Sequence, residues 1–194
     1  MYSLMHLIAW RIGLSDVDTW TRQDEIACLA RHAAGRTRLA EIGVWQGATT
    51  RRLRRAMASD AMLFAIDPYP PGRLGISYQK IIAHREVARV PNGAVIWIEQ
   101  TGVGAATDPS VKAAAPFDFV FIDGDHTYEA LQGDWTMWSP MIAPAGIVAL
   151  HDSVLPPGGG AGAGSMRYFA DVIVRDERFE VVETVHSLSV LRRR

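Results

Sequence analysis

Residues 117–135 read FDFVFIDGDHTYEALQGDW, and two periodicities meet in them. Phe117, Phe119, Val120, Phe121 and Ile122 form a run too apolar for a strand with one wet face, which fits a parallel sheet covered on both sides. From Tyr128 the period changes. Tyr128, Leu131, Trp135 and Trp138 recur at helical spacing. Between strand and helix stand Asp123, Gly124, Asp125, His126 and Thr127, the densest polar cluster in the chain. In an open α/β sheet such a junction lies at the carboxyl edge, where ligands bind.

The same alternation runs outward in both directions. Upstream, Thr21–Ala34 has helical spacing and stops at Gly35, Leu39–Val44 is a short apolar run, and Ala48–Ala58 is helical. Met62–Asp67 is a second apolar run ending in Asp-Pro. A helix within Gly75–Val90 leads through Pro91-Asn92-Gly93 to the strand Ala94–Glu99. Downstream, Pro144-Ala145-Gly146 turns into a strand over Ile147–Leu150, and Met166–Arg175 is helical. Phe179–Thr184 and Ser187–Leu191 flank Val185-His186 as a closing hairpin. Strands separated by helices make a three-layer α/β fold with a mostly parallel sheet and an antiparallel strand at its carboxyl-terminal end. With no repeat and no second core, residues 1–194 are expected to form one domain. Residues 1–20 are its amino-terminal extension and 39–153 its binding and catalytic core. The glycine-rich stretch Gly158–Gly164 reads as a mobile flap, or as flexible filler.

Composition excludes several classes. Twenty basic and 21 acidic residues give a net charge of −1, so no global field draws the chain to nucleic acid or an anionic membrane. The cluster Arg51, Arg52, Arg54 and Arg55 reads as a solvated helix face rather than a phosphate patch. Cys28, the single cysteine, can form no internal disulfide and reads as a small core residue. The mildly apolar residues 1–10 lack the basic start and long apolar run of a signal peptide, so the cytoplasm is the expected setting. A helix there would lie on the surface or pair with a second copy, and self-association is the expected assembly.

Several strand ends carry chemistry. Glu41-Ile-Gly43-Val-Trp45-Gln-Gly47-Ala-Thr49-Thr50 spans the turn from the first strand into a helix. Glycines there let a ligand approach the backbone, and the helix start favours an anionic group. The G-x-x-x-G spacing is not the dinucleotide pattern G-x-G-x-x-G. Asp67, closing the next strand, can accept hydrogen bonds from both hydroxyls of a ribose, or can open an Asp-Pro turn. Gln100 and Thr101 follow the third strand, where an adenine edge would lie. Asp123 and Asp152 end adjacent strands, with His126 and His151 beside them. Two carboxylates with imidazole suit a divalent cation such as Mg²⁺. Such a cation lowers a hydroxyl pKa, and His126 is placed as general base. The plainer alternatives are that Asp125 or Thr127 caps a helix, His126 anchors a turn and Asp152 caps a loop.

Taken together, EIGVWQGATT, AIDPYP, FDFVFIDGDHTYEALQGDW and APAGIVALHD resemble the class I S-adenosylmethionine-dependent methyltransferases that carry an IDG-x-H-x-Y motif and a terminal His-Asp. That family is similar to the macrolide-sugar O-methyltransferases and the cephalosporin-hydroxylase-like proteins, and the resemblance covers residues 39–153. It implies a Rossmann-like seven-stranded sheet of order 3-2-1-4-5-7-6. It implies S-adenosylmethionine as cofactor, held by Glu41, Gly43, Trp45, Gly47, Thr49, Asp67, Gln100, Thr101 and Asp123. It implies Asp123 and Asp152 as metal acids and His126 as base. Where those relatives carry Glu-Asp this chain has His151-Asp152, which counts against Mg²⁺ and can change the metal preference; His151 is a further candidate ligand, softer than a carboxylate.

The reaction implied is methyl transfer to the hydroxyl of a small molecule or sugar. Because the donor sulfur loses its positive charge during transfer, the site is expected not to be strongly anionic away from a metal. A nicotinamide-dependent oxidoreductase and a non-catalytic nucleoside-binding protein are the rival readings of the same sheet.

Overall fold

The computed structural model describes residues 4–72, 75–156 and 162–194. The expected flap Gly158–Gly164 lies mostly outside the described residues. Seven strands make one sheet: β1 (Arg38–Ile42), β2 (Met62–Ile66), β3 (Ala94–Ile98), β4 (Phe117–Ile122), β5 (Ile142–Leu150), β6 (Phe179–Val185) and β7 (Leu188–Arg193). Their order is β3-β2-β1-β4-β5-β7-β6. β1 to β5 pair in parallel, and β7 inserts antiparallel between β5 and β6.

The helices are α1 (Leu4–Arg11), α2 (Gln23–Ala33), α3 (Ala48–Ala56), α4 (Tyr78–Ala88), α5 (Gly102–Ala105), α6 (Pro109–Ala114), α7 (Tyr128–Trp138) and α8 (Gly164–Asp171). They cover both faces. Cys28 and Leu29 of α2, Leu53 of α3 and Met57 just after it pack on Leu39, Leu63, Phe119 and Phe121. Val111, Leu131, Trp135, Trp138 and Phe169 pack on Ala40, Phe64, Val120 and Ile122 of the other face. Alternation along each strand therefore feeds two cores, which is why β4 is apolar at nearly every position.

Three expectations change. Pro144-Ala145-Gly146 is not a turn before a strand. β5 already starts at Ile142, and the pairing slips between Phe117↔Ile142 and Phe119↔Ile147, with Ala145 at φ +58°. The extra residues form a bulge, and a strand accommodates a bulge without ending. The Arg51–Arg55 face is only partly solvated. Arg52 and Arg55 are exposed, but Arg51 pairs with buried Glu86 at 2.5 Å, and Arg54 donates to the carbonyls of Val87, Asn92 and Gly93. These contacts tie α3 to α4 and to the turn after it. Gly47, at φ +76°, lies where a Cβ would stand 3.0 Å from Ala83 Cα, so it serves the packing of α3 on α4. No helix among the described residues is long and apolar enough to cross a membrane.

The carboxyl edge is laced by backbone bonds. Asp67 N donates to Ile98 O, Gly43 N to Ile66 O, Asp123 N to Ile42 O and His151 N to Ile122 O, at 2.7–3.1 Å. Gly43 sits at φ +90°, and a Cβ there would lie 2.0 Å from the Asp123 carbonyl oxygen. Gly43→Ala is therefore expected to lower stability by about 3 kcal/mol, from backbone strain and overpacking together. Urea denaturation would check this, and an unchanged midpoint would show that the turn relaxes freely.

Candidate active site

The strand tips open onto one cavity of about 1070 Å³. Gly43, Val44, Trp45 and Thr49 border it from β1 and α3, Asp67 from β2, Gln100 and Thr101 from the loop after β3, Asp123 to His126 from β4, and His151 and Asp152 from β5. Most of the expected site residues thus meet in one space. The exceptions are Glu41 and Gly47, neither of which borders it. Gly47 is taken up by helix packing. Glu41 is fully buried beneath the turn beside Thr50, and burial raises its pKa well above the usual carboxylate value.

The turn is held by Asp67. Its Oδ2 accepts from Val44 N at 3.1 Å and Trp45 N at 2.9 Å, and its Oδ1 from Tyr69 N at 2.8 Å. Three non-glycine residues with left-handed backbone stand at these tips: Trp45 (φ +56°), Tyr69 (φ +42°) and Asp152 (φ +45°). Strained backbone of this kind concentrates at functional sites. Thr127 caps α7, its Oγ1 accepting from Ala130 N, and Asp125 accepts from Thr127 N. Of the two candidates for a helix cap, Thr127 is the cap and Asp125 holds the turn before it. Thr101 likewise caps α5 through Gly104 N. Trp97 faces away from the cavity and stacks on His84, ring centroids 3.8 Å apart.

The centre of the site is a buried charge cluster anchored by a residue the sequence reading passes over. Glu25 on α2 is 0% exposed. Its carboxylate accepts from Arg22 N, from Ser187 N and Oγ, and from His151 Nε2 at 3.2 Å. The other nitrogen of His151, Nδ1, lies 3.0 Å from Asp123 Oδ1 and 3.6 Å from Asp152 Oδ2, between the two rather than aligned on either. His126 Nδ1 approaches Asp152 Oδ2 at 3.6 Å from the wetter side. Burial by itself lowers the pKa of His151, but the carboxylates of Asp123, Asp152 and Glu25 outweigh it and push it up to about 12. Burial raises that of Glu25, but hydrogen bonds from His151, Arg22 and Ser187 outweigh it and hold it at about 2.

This arrangement bears on the expected cation. His151, expected as a ligand, stands between the two acids as their counter-charge. Among the described residues, the three donors gathered tightly enough for one ion are Cys28, His32 and Glu183, not Asp123, His151 and Asp152. The side chains as they stand do not fit a metal at the strand tips.

The cavity is also more acidic than expected. Asp18, Asp67, Asp123, Asp125, Asp134 and Asp152 border it, and among the described residues no lysine or arginine does. Local partners balance most of this charge: amides for Asp67 and Asp125, His151 for Asp123 and Asp152. Asp134 of α7 is 6% exposed, and burial, then the charge of Asp125, raise its pKa to about 6. Gly102 makes room for it, because a Cβ there would stand 2.2 Å from Asp134 Oδ1. The sequence carries a signal for this residue. Asp134 follows Leu131 by three and precedes Trp138 by four, an acid inside the apolar stripe. Trp20, 80% exposed, borders the same cavity from the amino-terminal segment, which the strand-and-helix pattern does not place.

Residues 40–153 match the family model of a methyltransferase domain. No curated protein matches the chain in sequence. Solved structures share its fold at low identity. The cofactor-bound Rv0187 from MTB has a TM-score of 0.72 at 15% identity, covering 98% of this chain and 89% of that one. An O-methyltransferase from Bacillus cereus in complex with SAH has a TM-score of 0.69 at 16% identity, covering 98% and 90%. The O-methyltransferase TomG from Streptomyces achromogenes, involved in tomaymycin synthesis and bound to SAM, has a TM-score of 0.67 at 18% identity, covering 95% and 85%.

The Glu25–His151 pair sets a pH dependence. Glu25 has a folded pKa below its ordinary 4.5, so its contribution is present above pH 4.5 and fades as pH falls toward 2. His151 has a folded pKa above its ordinary 6.5, so its contribution is present below pH 6.5 and fades as pH rises toward 12. Stability is expected to peak between about pH 4.5 and 6.5, each limb falling by up to about 1.4 kcal/mol per pH unit. Glu25→Gln should cost about 3 kcal/mol at the peak and flatten the acid limb. Urea unfolding of both proteins across the pH range tests this, and superimposable profiles would refute it.

Proposed function

The chain belongs to the family of the methyltransferase domain that its residues 40–153 match, and from that premise we propose that it moves a methyl group from S-adenosylmethionine to a hydroxyl oxygen of a small molecule or sugar. One observation carries the reading: the polar ends of β1, β2, β4 and β5 and the loop after β3 face a single cavity at the carboxyl edge of the sheet. The O-methyltransferases of the same fold, described above with SAH or SAM bound, support it by analogy.

The lining residues suit the groups of the cofactor. Asp67 offers carboxylate oxygens to ribose hydroxyls. Gln100 and Thr101, with Asp134 across from Gly102, suit an adenine edge that donates from its amino group. Gly43, Trp45 and Thr49 border the methionine end, close to Asp123. An acidic lining favours a ligand carrying sulfonium and ammonium charges. When bound, S-adenosylmethionine supplies an electrophilic methyl group on positively charged sulfur.

His126 does the proton work. Its side chain is 45% exposed and faces the cavity, and its Nδ1 has Asp152 as neighbour. The ring takes the proton of the acceptor hydroxyl, and the Asp152 carboxylate stabilises the imidazolium that results. His151, held by Glu25, keeps Asp123 and Asp152 in place and offsets their charge, so they orient acceptor and donor without repelling each other. The divalent cation implied by resemblance enters no step here, because the imidazole of His151 lies between its two acids.

Thermal-shift titration is expected to show stabilisation by S-adenosylhomocysteine and none by NAD, and stabilisation by NAD alone would reject the reading in favour of an oxidoreductase. His126→Ala is expected to lower methyl transfer by about 10²–10⁴-fold while leaving S-adenosylhomocysteine affinity unchanged. Equal turnover in the variant would remove the base role and leave the cofactor assignment standing.

A further inference from the structure

Along α2 from Glu25, the helix and the edge strand β6 bring three donors together outside the cavity lining. Cys28 and His32 are four residues apart on α2 and share a face of the helix. Glu183 reaches them from β6, with its Oε2 2.8 Å from His32 Nε2. The ligand atoms of the three side chains all lie within 4.8 Å of one another. Donors around one tetrahedral zinc ion stand about 3.5 Å apart, so small rotamer changes suffice.

We propose that Cys28, His32 and Glu183 form a site for Zn²⁺ or a closely similar transition-metal ion, clamping α2 to β6. The donor set is that of zinc: one thiolate, one imidazole and one carboxylate, with the fourth position open to water. Hard cations that prefer all-oxygen shells are disfavoured by the sulfur. Access is available, because the His32 and Glu183 side chains are 22% and 32% exposed, while Cys28 sits beneath them. Without the ion, burial and then the Glu183 charge push the Cys28 thiol up to about 11. On binding, the S–H bond breaks, the proton leaves to solvent, the sulfur bonds the metal and the imidazole binds as a neutral ring. Arg31 contacts the other carboxylate oxygen, Oε1, at 2.5 Å, so Oε2 can turn to the metal with that contact kept. The site lies on the helix that carries Glu25, and binding there stiffens the mount of His151.

Co²⁺ titration of the intact reduced chain, followed by absorbance, tests the proposal. Expected are an intense thiolate-to-cobalt band saturating at one equivalent, its loss on adding Zn²⁺, and a higher unfolding temperature with Zn²⁺. Cys28→Ser should abolish the band. Glu183→Gln and His32→Ala, at less buried positions, should weaken binding by at least about tenfold while leaving the unliganded fold intact. Absence of the band at millimolar Co²⁺ would overturn the proposal. So would a band of wild-type affinity in both Glu183→Gln and His32→Ala.

Discussion

The carboxyl edge of this sheet depends on one close approach, that of Gly43 to the main chain of Asp123. β1 and β4 are neighbours at the point where the strand order reverses, and the turn leaving β1 must pass directly over the tip of β4. No side chain fits there. That single contact fixes the spacing of the tips, and the four backbone bonds across the edge carry the spacing to β2, β3 and β5. Asp67 then clamps the turn from the β2 side. The cavity is a consequence: each strand ends at the same height, and each places its first polar residue in the same space.

Charge is the second constraint. Burying Glu25 and His151 costs several kcal/mol per ion unless each is paired and hydrogen-bonded. The structure meets that demand by assembling the cluster from four elements: α2, the tip of β4, the tip of β5 and the β6–β7 turn. Ser187, in that turn, gives Glu25 both its amide and its hydroxyl. The C-terminal hairpin therefore does more than close the sheet. Its turn reaches back across the chain to position an imidazole under the site. This coupling also explains how a cavity bordered by six aspartates can stay ordered: most of the negative charge has a local, fixed partner.

The division between what could be read and what could not follows the range of the interactions. Strand and helix positions depend on apolar periodicity within a dozen residues, and β1 to β4 with α2, α3, α4 and α7 stand where the pattern puts them, whereas the short α5 and α6 carry no such period. The junction residues Asp67, Gln100, Thr101, Asp123, His126, His151 and Asp152 were legible for the same reason, since a residue after a parallel strand has only one edge to occupy. The bulge in β5 escaped because Pro-Ala-Gly is a turn signal, and pairing with β4 overrode it. Glu41 and Gly47 do not border the cavity because motif proximity is not orientation: Glu41 points to the β1 face covered by α2 and α3, and Gly47 packs against α4.

By itself, then, the sequence determined the α/β alternation, the strand-end cluster and its placement at one edge, because these rest on local period and chain direction. Only the tertiary structure decided that Glu25 holds His151, that His151 separates the two acids expected to share a metal, and that Asp134 and Trp20 join the cavity wall. Those contacts span many residues of sequence, and side-chain direction and burial, not spacing along the chain, set which groups meet.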